Sequence, residues 1–589
     1  MNKFFKSVIA ISISSAISFS TVYAATYKVI DKGLSNTHKF TSAKAQNSNS
    51  VMAITGSQRF NFPIQFDLLT DNDFIAIQRL ALAGFQQDAV LDNIEDIDAL
   101  KAGNPTANDF AWVVKYLQNT TKNSRLHQKL GENNLLLNDG NNINEIIIFD
   151  QALDNGELSR STDEFVYGLT DENWVFGRAS APYFPADFTD SNDETKKYWF
   201  RDFSTRAFIS LDNGTTVKEI IPPESRFGGN SAILDINDNR VGVGYVSTSI
   251  IQSVLDNIAD ETGGCADPNV LKDIPLEECI IQAQQGQQDG IYSLEATKFT
   301  FDDQGNVITS ESLGNLITPH VDDTRVLQSY AQAINNNGVV VGFAHGWTAG
   351  EVADPSTNQN KSLYAVIFKE GKAISLTKDQ GQEFNSRAFD INDAGIAVGY
   401  ATKFINSEQR TKFYYVDTNN SDLTMVYPED FFKGSASIAR AINEQGFIVG
   451  EGEIEIHNDN IQNGQTVNPR RRHGFLYDIN TETFTDLNDF LACNGNYTIV
   501  QAYGINEANE ISATAVVKVN RRDSFGGLVK DADGNQLTED VVRSVILQPI
   551  GGKIEDCTKV EEKIKRKGAS FGWLSLFLLP LVTIRRYKK

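Results

Sequence analysis

No two cysteines have the C-x-x-C spacing, and none of the six histidines sits beside a cysteine. The chain also has no H-E-x-x-H, no phosphate-cradling P-loop and no G-x-G-x-x-G after a strand. The familiar signatures of zinc hydrolases and nucleotide-binding enzymes are thus missing. Basic charge is scarce as well. Lys and Arg number 53 against 76 Asp and Glu, for a formal net charge of −23 and a pI of about 4.8. That balance argues against nucleic acid as a partner, which calls for a basic face. Long apolar runs are lacking too. The run Phe571–Ile584 has fourteen residues, short of the roughly 20 that span a bilayer comfortably.

What is present begins with two terminal addresses. Lys3 and Lys6 precede an apolar stretch from Val8 to Ile17, and "TVYA" ends in a small-residue cleavage pattern. Residues 1–24 therefore read as a secretory signal peptide cut between Ala24 and Ala25. At the other end, residues 568–589 carry Gly568, Ala569 and Ser570, then the short apolar run with Trp573, then Arg585, Arg586, Lys588 and Lys589. The basic end is expected to stay cytoplasmic. Removing both segments takes away six cations and no acid, moving the formal charge from −23 to −29.

The four cysteines fit export. Cys265 and Cys279 enclose "CADPNVLKDIPLEEC", and Cys493 and Cys557 bracket the last repeat. An even count in an oxidising compartment favours two disulfides, while three pairings remain open from sequence. Residues 25–567 are expected to be the folded domain.

That domain repeats A-x-x-I-N-x-x-G-x-V-x-G. Residues 331–342 (AQAINNNGVVVG), 388–399 (AFDINDAGIAVG) and 439–450 (ARAINEQGFIVG) fit well. Residues 233–244 put Arg240 at the turn glycine position, and the decayed copies at 166–177 and 502–513 put Asn173 and Asn509 there. A marginal seventh copy lies at 45–56. The pairs Asn335/Gly338, Asn392/Gly395 and Asn443/Gly446 define a four-residue hairpin turn. In such a turn the Asn side chain caps backbone amides and the last residue takes φ > 0. Arg240 violates that rule. A short aromatic strand and a second turn follow most units, as in "RAFISLDNG" (206–214) and "YAVIFKEG" (364–371). About four strands per unit make one propeller blade, and stacking such blades radially buries both of their faces. The expected fold is an all-β propeller, seven blades in preference to six. The alternatives are a β-sandwich array and, less well supported, a parallel β-helix. Helical periodicity over about 72–131 and a cysteine-containing stretch at about 250–290 mark insertions.

The repeat resembles the HAF-type extracellular repeats, with "RHGFLYD" (472–478) as the nearest match to their aromatic motif. The tail resembles a GlyGly-CTERM sorting signal, although Gly568-Ala569 stands in place of Gly-Gly. That resemblance implies removal by a rhomboid-like protease and delivery to the cell surface or medium of a Gram-negative cell, after signal peptidase has acted on the N-terminus. As a whole the chain resembles the domain-of-unknown-function 3466 family, for which no activity is established.

No catalytic, metal-binding or cofactor residue is assigned. His345, in "VGFAHGW", and His473 read as structural. "DINDAG" (390–395), "DINDN" (235–239) and "DADGN" (531–535) resemble the start of a calcium loop but have no bidentate Glu at the twelfth position. "NPRRRHG" (468–474) is the one basic cluster between the ends. The reading is an exported binding or scaffold module for an extracellular glycan or protein. A secreted polysaccharide hydrolase or lyase is the alternative. Four carboxylates or a His/Tyr/Arg cluster facing the central channel would favour the enzyme, and a channel lined by repeat-equivalent small and apolar residues would favour binding.

Overall fold

Alternating apolar residues in strand after strand, each strand ended by a polar turn, yield seven small antiparallel sheets arranged as the blades of a propeller. The computed structural model describes residues 26–551, apart from 85–89, 154–155, 288–289, 457–460, 463–464, 467–468 and 494. Both terminal addresses and Cys557 lie outside the described residues.

Blades 1 to 7 begin with the inner strands His38–Gln46, Glu164–Leu169, Ser231–Ile236, Ser329–Ile334, Glu383–Ile391, Ser437–Ile442 and Tyr497–Ile505. Six blades have four strands and blade 5 has three. In blade 5 the outermost position is reduced to one bridge between Tyr415 and Val426, where the expected fourth strand is missing. Blade 7 closes the ring. Its outermost strand, Thr26–Asp31, comes from the start of the described chain and pairs antiparallel with Thr538–Ile550, Thr26 opposite Ile550. The repeat pattern gave no sign of this closure.

The core lies between blades. Ala43, Met52, Ile54, Leu136 and Ile546 join blade 7 to blade 1, and comparable clusters fill the other gaps, such as Val398, Phe413, Ala439 and Phe475 between blades 5 and 6. Polar stitches accompany them. Two residues before the repeat alanine, Ser231, Ser329, Ser386 and Ser437 each accept a hydrogen bond from the preceding blade's third strand, from the amides of Ala207, Ala296, Ala365 and Phe413. In blade 2 this position is Glu164, which is 1% exposed. Its carboxyl accepts from the Leu135 amide at 3.0 Å and from Thr162 Oγ1. Burial pushes its pKa up to about 8 despite those hydrogen bonds.

The turns form a ring on one face. Each repeat Asn caps its own turn, as Asn335 Oδ1 does for the Val339 amide. Four of them also donate to the next blade, Asn237 to the carbonyl of Asn335, Asn335 to Asn392, Asn392 to Asn443, and Asn443 to Asn506, whereas the Asn506 amide turns to Glu510 of its own turn. In blade 1 the residue in this role is Asn47, which donates to the Thr170 carbonyl. The seventh copy is therefore set two residues earlier than the sequence alignment placed it, with Ser50 in the left-handed position at φ 57°. Gly338, Gly395 and Gly446 have φ of 79°, 83° and 83°. Arg240, the apparent exception, adopts φ 56° as well. Its guanidinium bridges Glu172 in blade 2, at 2.8 Å, and Asp303, at 2.6 Å.

The longer excursions leave from the opposite face, between second and third strands. They include helices Asp71–Gly84, Ile97–Lys101 and Ala107–Lys115 in blade 1, a ribbon of Phe184–Thr189 with Thr195–Phe200 in blade 2, and helices Gln252–Ala259, Pro268–Leu271 and Leu276–Gln285 in blade 3. Cys265 and Cys279 are joined by a disulfide there. Cys493 is also disulfide-bonded.

Candidate functional site

The inner strands of all seven blades line a central channel of about 740 Å³. Alternation along each strand decides what faces it. The residues on either side of the repeat alanine line it, as Tyr330 and Gln332 do, together with second-strand partners such as Phe343 opposite Tyr330 and Arg178 opposite Phe165. Small and aliphatic residues make up much of the lining, and among them eight aromatic rings and four cations are arranged as two arcs.

The arc nearer the turn ring spans blades 5, 6, 7 and 1. Arg440 Cζ lies 5.2 Å from the Phe389 ring centre and 5.8 Å from that of Tyr503. Lys44 Nζ sits 4.3 Å from the Tyr503 ring centre and donates to its hydroxyl at 3.1 Å. The Arg440 charge is balanced by Glu451, which is 2% exposed, through Nη2 to Oε1 at 2.6 Å.

The deeper arc spans blades 2 to 5. Arg178 stacks on Phe165 at 4.9 Å and donates from Nη1 to the Tyr245 hydroxyl at 3.3 Å. Tyr245 meets Tyr330 edge-on at 4.9 Å, Tyr330 stacks on Phe343 at 4.6 Å, and Arg387 lies over Phe343 at 4.5 Å. Neither Arg178 nor Arg387 has a carboxylate partner among the described residues, and the Nε of each is buried without a hydrogen bond. Such stacking holds a guanidinium in place without neutralising it. Burial works against the Arg178 charge, but the oxygens of Tyr245 and Tyr167 outweigh it and raise its pKa. Burial, the largest cause in each, also raises the Tyr245 and Tyr330 hydroxyls above their usual range, so both stay protonated.

Two carboxyls reach the channel wall, Asp235 and Asp390. Each turns one oxygen to the next blade, accepting from the amides of Ile334 and Ile442 at 2.9 Å. Burial pushes them up to about 7 and about 6. These are the first residues of the "DIND" stretches, and their oxygens serve blade contacts. Among the described residues no group of three or more His, Cys, Asp or Glu gathers around a possible metal position.

The remaining sequence candidates lie elsewhere. His345 does not line the channel, and its Nδ1 accepts from the Gln328 amide. His473 pairs with Asp486 at 2.6 Å within blade 6. In the basic cluster, Arg470 and Arg471 are consumed by Glu453 and Glu455. Ala24, Ala25, Gly568, Ala569 and Ser570 fall outside the described residues.

Sequence reading also missed a Ser–His–Asp chain in the blade 1 insertion. Ser124 Oγ is 2.8 Å from His127 Nδ1, and His127 Nε2 is 2.9 Å from Asp73 Oδ1. The order resembles a hydrolase relay, but both ends are tied into local structure. Ser124 Oγ accepts from the Leu126 amide, and Asp73 caps helix Asp71–Gly84 through Thr70 while accepting from Tyr116. Burial alone would raise Asp73, but these hydrogen bonds outweigh it and hold the pKa at about 2. The chain fastens the helices to one another.

The β-propeller domain of the Trilobed protease from Pyrococcus furiosus matches at 11% identity and a TM-score of 0.30, covering 74% of this chain and 89% of its own. A puromycin-hydrolyzing peptidase from Mycobacterium tuberculosis matches at 12% identity and a TM-score of 0.32, covering 67% of this chain and 48% of its own. No curated protein sequence matches. The family described as "Protein of unknown function (DUF3466)" matches residues 4–587, and the chain belongs to that family.

Proposed function

We propose that the protein is an exported binding module that takes its ligand in the central channel and does not transform it. The observation that carries this reading is the channel lining: rings and fixed cations, supplied by strands and not by loops. Strand-borne side chains with few rotamers make a pre-formed site, and about 740 Å³ lies within the size of small-ligand clefts. The long excursions on the face away from the turns supply a further surface for an extracellular glycan or protein.

The alternative, a polysaccharide lyase or hydrolase, draws on the Arg178–Tyr245 pair. A tyrosinate base beside a guanidinium is an arrangement suited to removing a proton next to a carboxylate. Against it stand the raised hydroxyl pKa values and the lack of any histidine in the lining. Incubation with acidic and neutral oligosaccharides, followed by mass spectrometry of the recovered sugar, separates the two. Bound sugar recovered intact supports the binding module; shortened or unsaturated products overturn it.

A further inference from the structure

We infer that the channel ligand is a short oligo-uronate, with two carboxylates met separately by Arg178 and Arg387. The inference rests on the channel-binding reading and goes beyond it to a ligand class.

Three observations point there. First, these two guanidiniums are the arginines of the lining left unbalanced: Arg440 has Glu451, whereas Arg178 and Arg387 have no carboxylate partner among the described residues. A guanidinium fixed on aromatic rings and without a counter-charge is a ready partner for an incoming anion. Second, the two cations do not converge. They belong to blades 2 and 5, and the rings of Tyr245, Tyr330 and Phe343 stand between them along the arc. A phosphate calls for several cations around one group. Two single cations with rings between them instead suit two monoanionic groups separated by a ring-sized spacer, which is the pattern of successive uronic acids. Aromatic walls and the Tyr hydroxyls then meet the sugar's carbon face and its hydroxyls. Third, the turn-ring mouth is acidic, carrying exposed Asp238, Glu444 and Glu507 and half-buried Asp393. That mouth repels a long polyanion, so the ligand is short or enters by its end from the face of the insertions.

The test is calorimetric titration of the full-length propeller with trigalacturonate and with its neutral counterpart, galactotriose. Wild type is expected to bind the uronate at least tenfold more tightly. Arg387→Met and Arg178→Met should each lose roughly tenfold to hundredfold in uronate affinity, the range for a charge-assisted hydrogen bond, with galactotriose unaffected. Arg387→Lys should recover part of the loss, and unchanged melting temperatures show that the variants are folded. Equal affinity for both sugars, weakened by Phe389→Ala but not by Arg387→Met, overturns the uronate assignment and leaves the channel reading standing. Binding that no channel variant changes overturns both. If neither sugar binds, the uronate assignment is wrong.

Discussion

The side-chain amide of Asn392 donates to the main-chain carbonyl of Asn443, 3.1 Å away in the next blade, while its Oδ1 accepts from the Ile396 amide of its own turn at 2.9 Å. One buried side chain thus closes a hairpin and joins two blades. Asn392→Ala leaves the half-buried Ile396 amide without its acceptor and strips one of two donors from the Asn443 carbonyl, which keeps the Gly446 amide, and is expected to destabilise the propeller by about 1–3 kcal/mol. Asn392→Asp keeps the turn acceptor but turns a carboxylate toward a carbonyl, so its loss should grow as pH rises through the carboxylate range. Denaturant unfolding at two pH values checks both; a loss of only a few tenths for Asn392→Ala would show that the ring of turns adds nothing.

Gly395→Val should cost roughly 1–3 kcal/mol. The backbone there is left-handed, and a Cβ would come within 2.5 Å of Asn419 Nδ2. Arg240→Val should cost less, since that site already carries a Cβ at φ 56° and its ion pairs are partly exposed. Equal losses in thermal unfolding would contradict the strain argument.

Glu164 gives the stability a pH signature. Its pKa is about 8 in the fold, against 4.5 for the free side chain. Between those values the unfolded chain has lost a proton that the native state keeps, so stability falls as pH rises through this window. Its contribution is complete below about pH 4.5 and gone above about 8, with a slope of up to about 1.4 kcal/mol per pH unit. Glu164→Gln retains an acceptor for Leu135 and offers Thr162 an amide. Its stability relative to wild type should therefore rise from pH 5 to 8 and then level off. Parallel stability–pH curves for the two proteins would refute the buried, protonated state.

Non-reducing peptide mapping of the exported protein should recover Cys265 joined to Cys279 and no free thiol. Closing that loop of about 15 residues is worth about 3 kcal/mol in the chain-entropy account. Cys265→Ser/Cys279→Ser should loosen the blade 3 insertion, read as faster proteolysis between residues 252 and 290, while the ring keeps its melting transition. A peptide linking Cys265 to Cys493 would refute the pairing.

Intact mass of the surface or medium fraction should place the mature ends near Ala25 and between Lys567 and Ser570. A mature species that retains "WLSLFLLPLV" and sediments with the inner membrane would instead mean a permanent anchor.

The blade count and the turns were legible because each copy of the repeat solves the same local problem: Asn caps amides, and a residue with φ > 0 must follow. The same logic explains why Arg240 misled. The conformational rule held, and a pair of acids compensated for the strain. What could not be read was relational. The second bond of Asn392, the amide satisfied by Ser386 and the protonated Glu164 all depend on which strand lies across the gap, and the repeat unit does not encode its neighbour. The channel stayed hidden for a related reason. Leu234, Gln332, Phe389, Arg440 and Tyr503 occupy one repeat position, so a search for a shared residue type passes over them. Their variety is what distinguishes one side of the channel from the other.

The strand Thr26–Asp31 completes blade 7 against Thr538–Ile550, so the two extremes of the described chain share a single sheet. Ring closure then has the highest contact order the chain permits and cannot begin until its last strand has been made and delivered. Until then six blades form an open arc, with the blade 1 face that should meet blade 7 still wet. A deletion at either end converges on one defect, an unclosed ring that exposes the apolar surfaces of Met52 and Ile54.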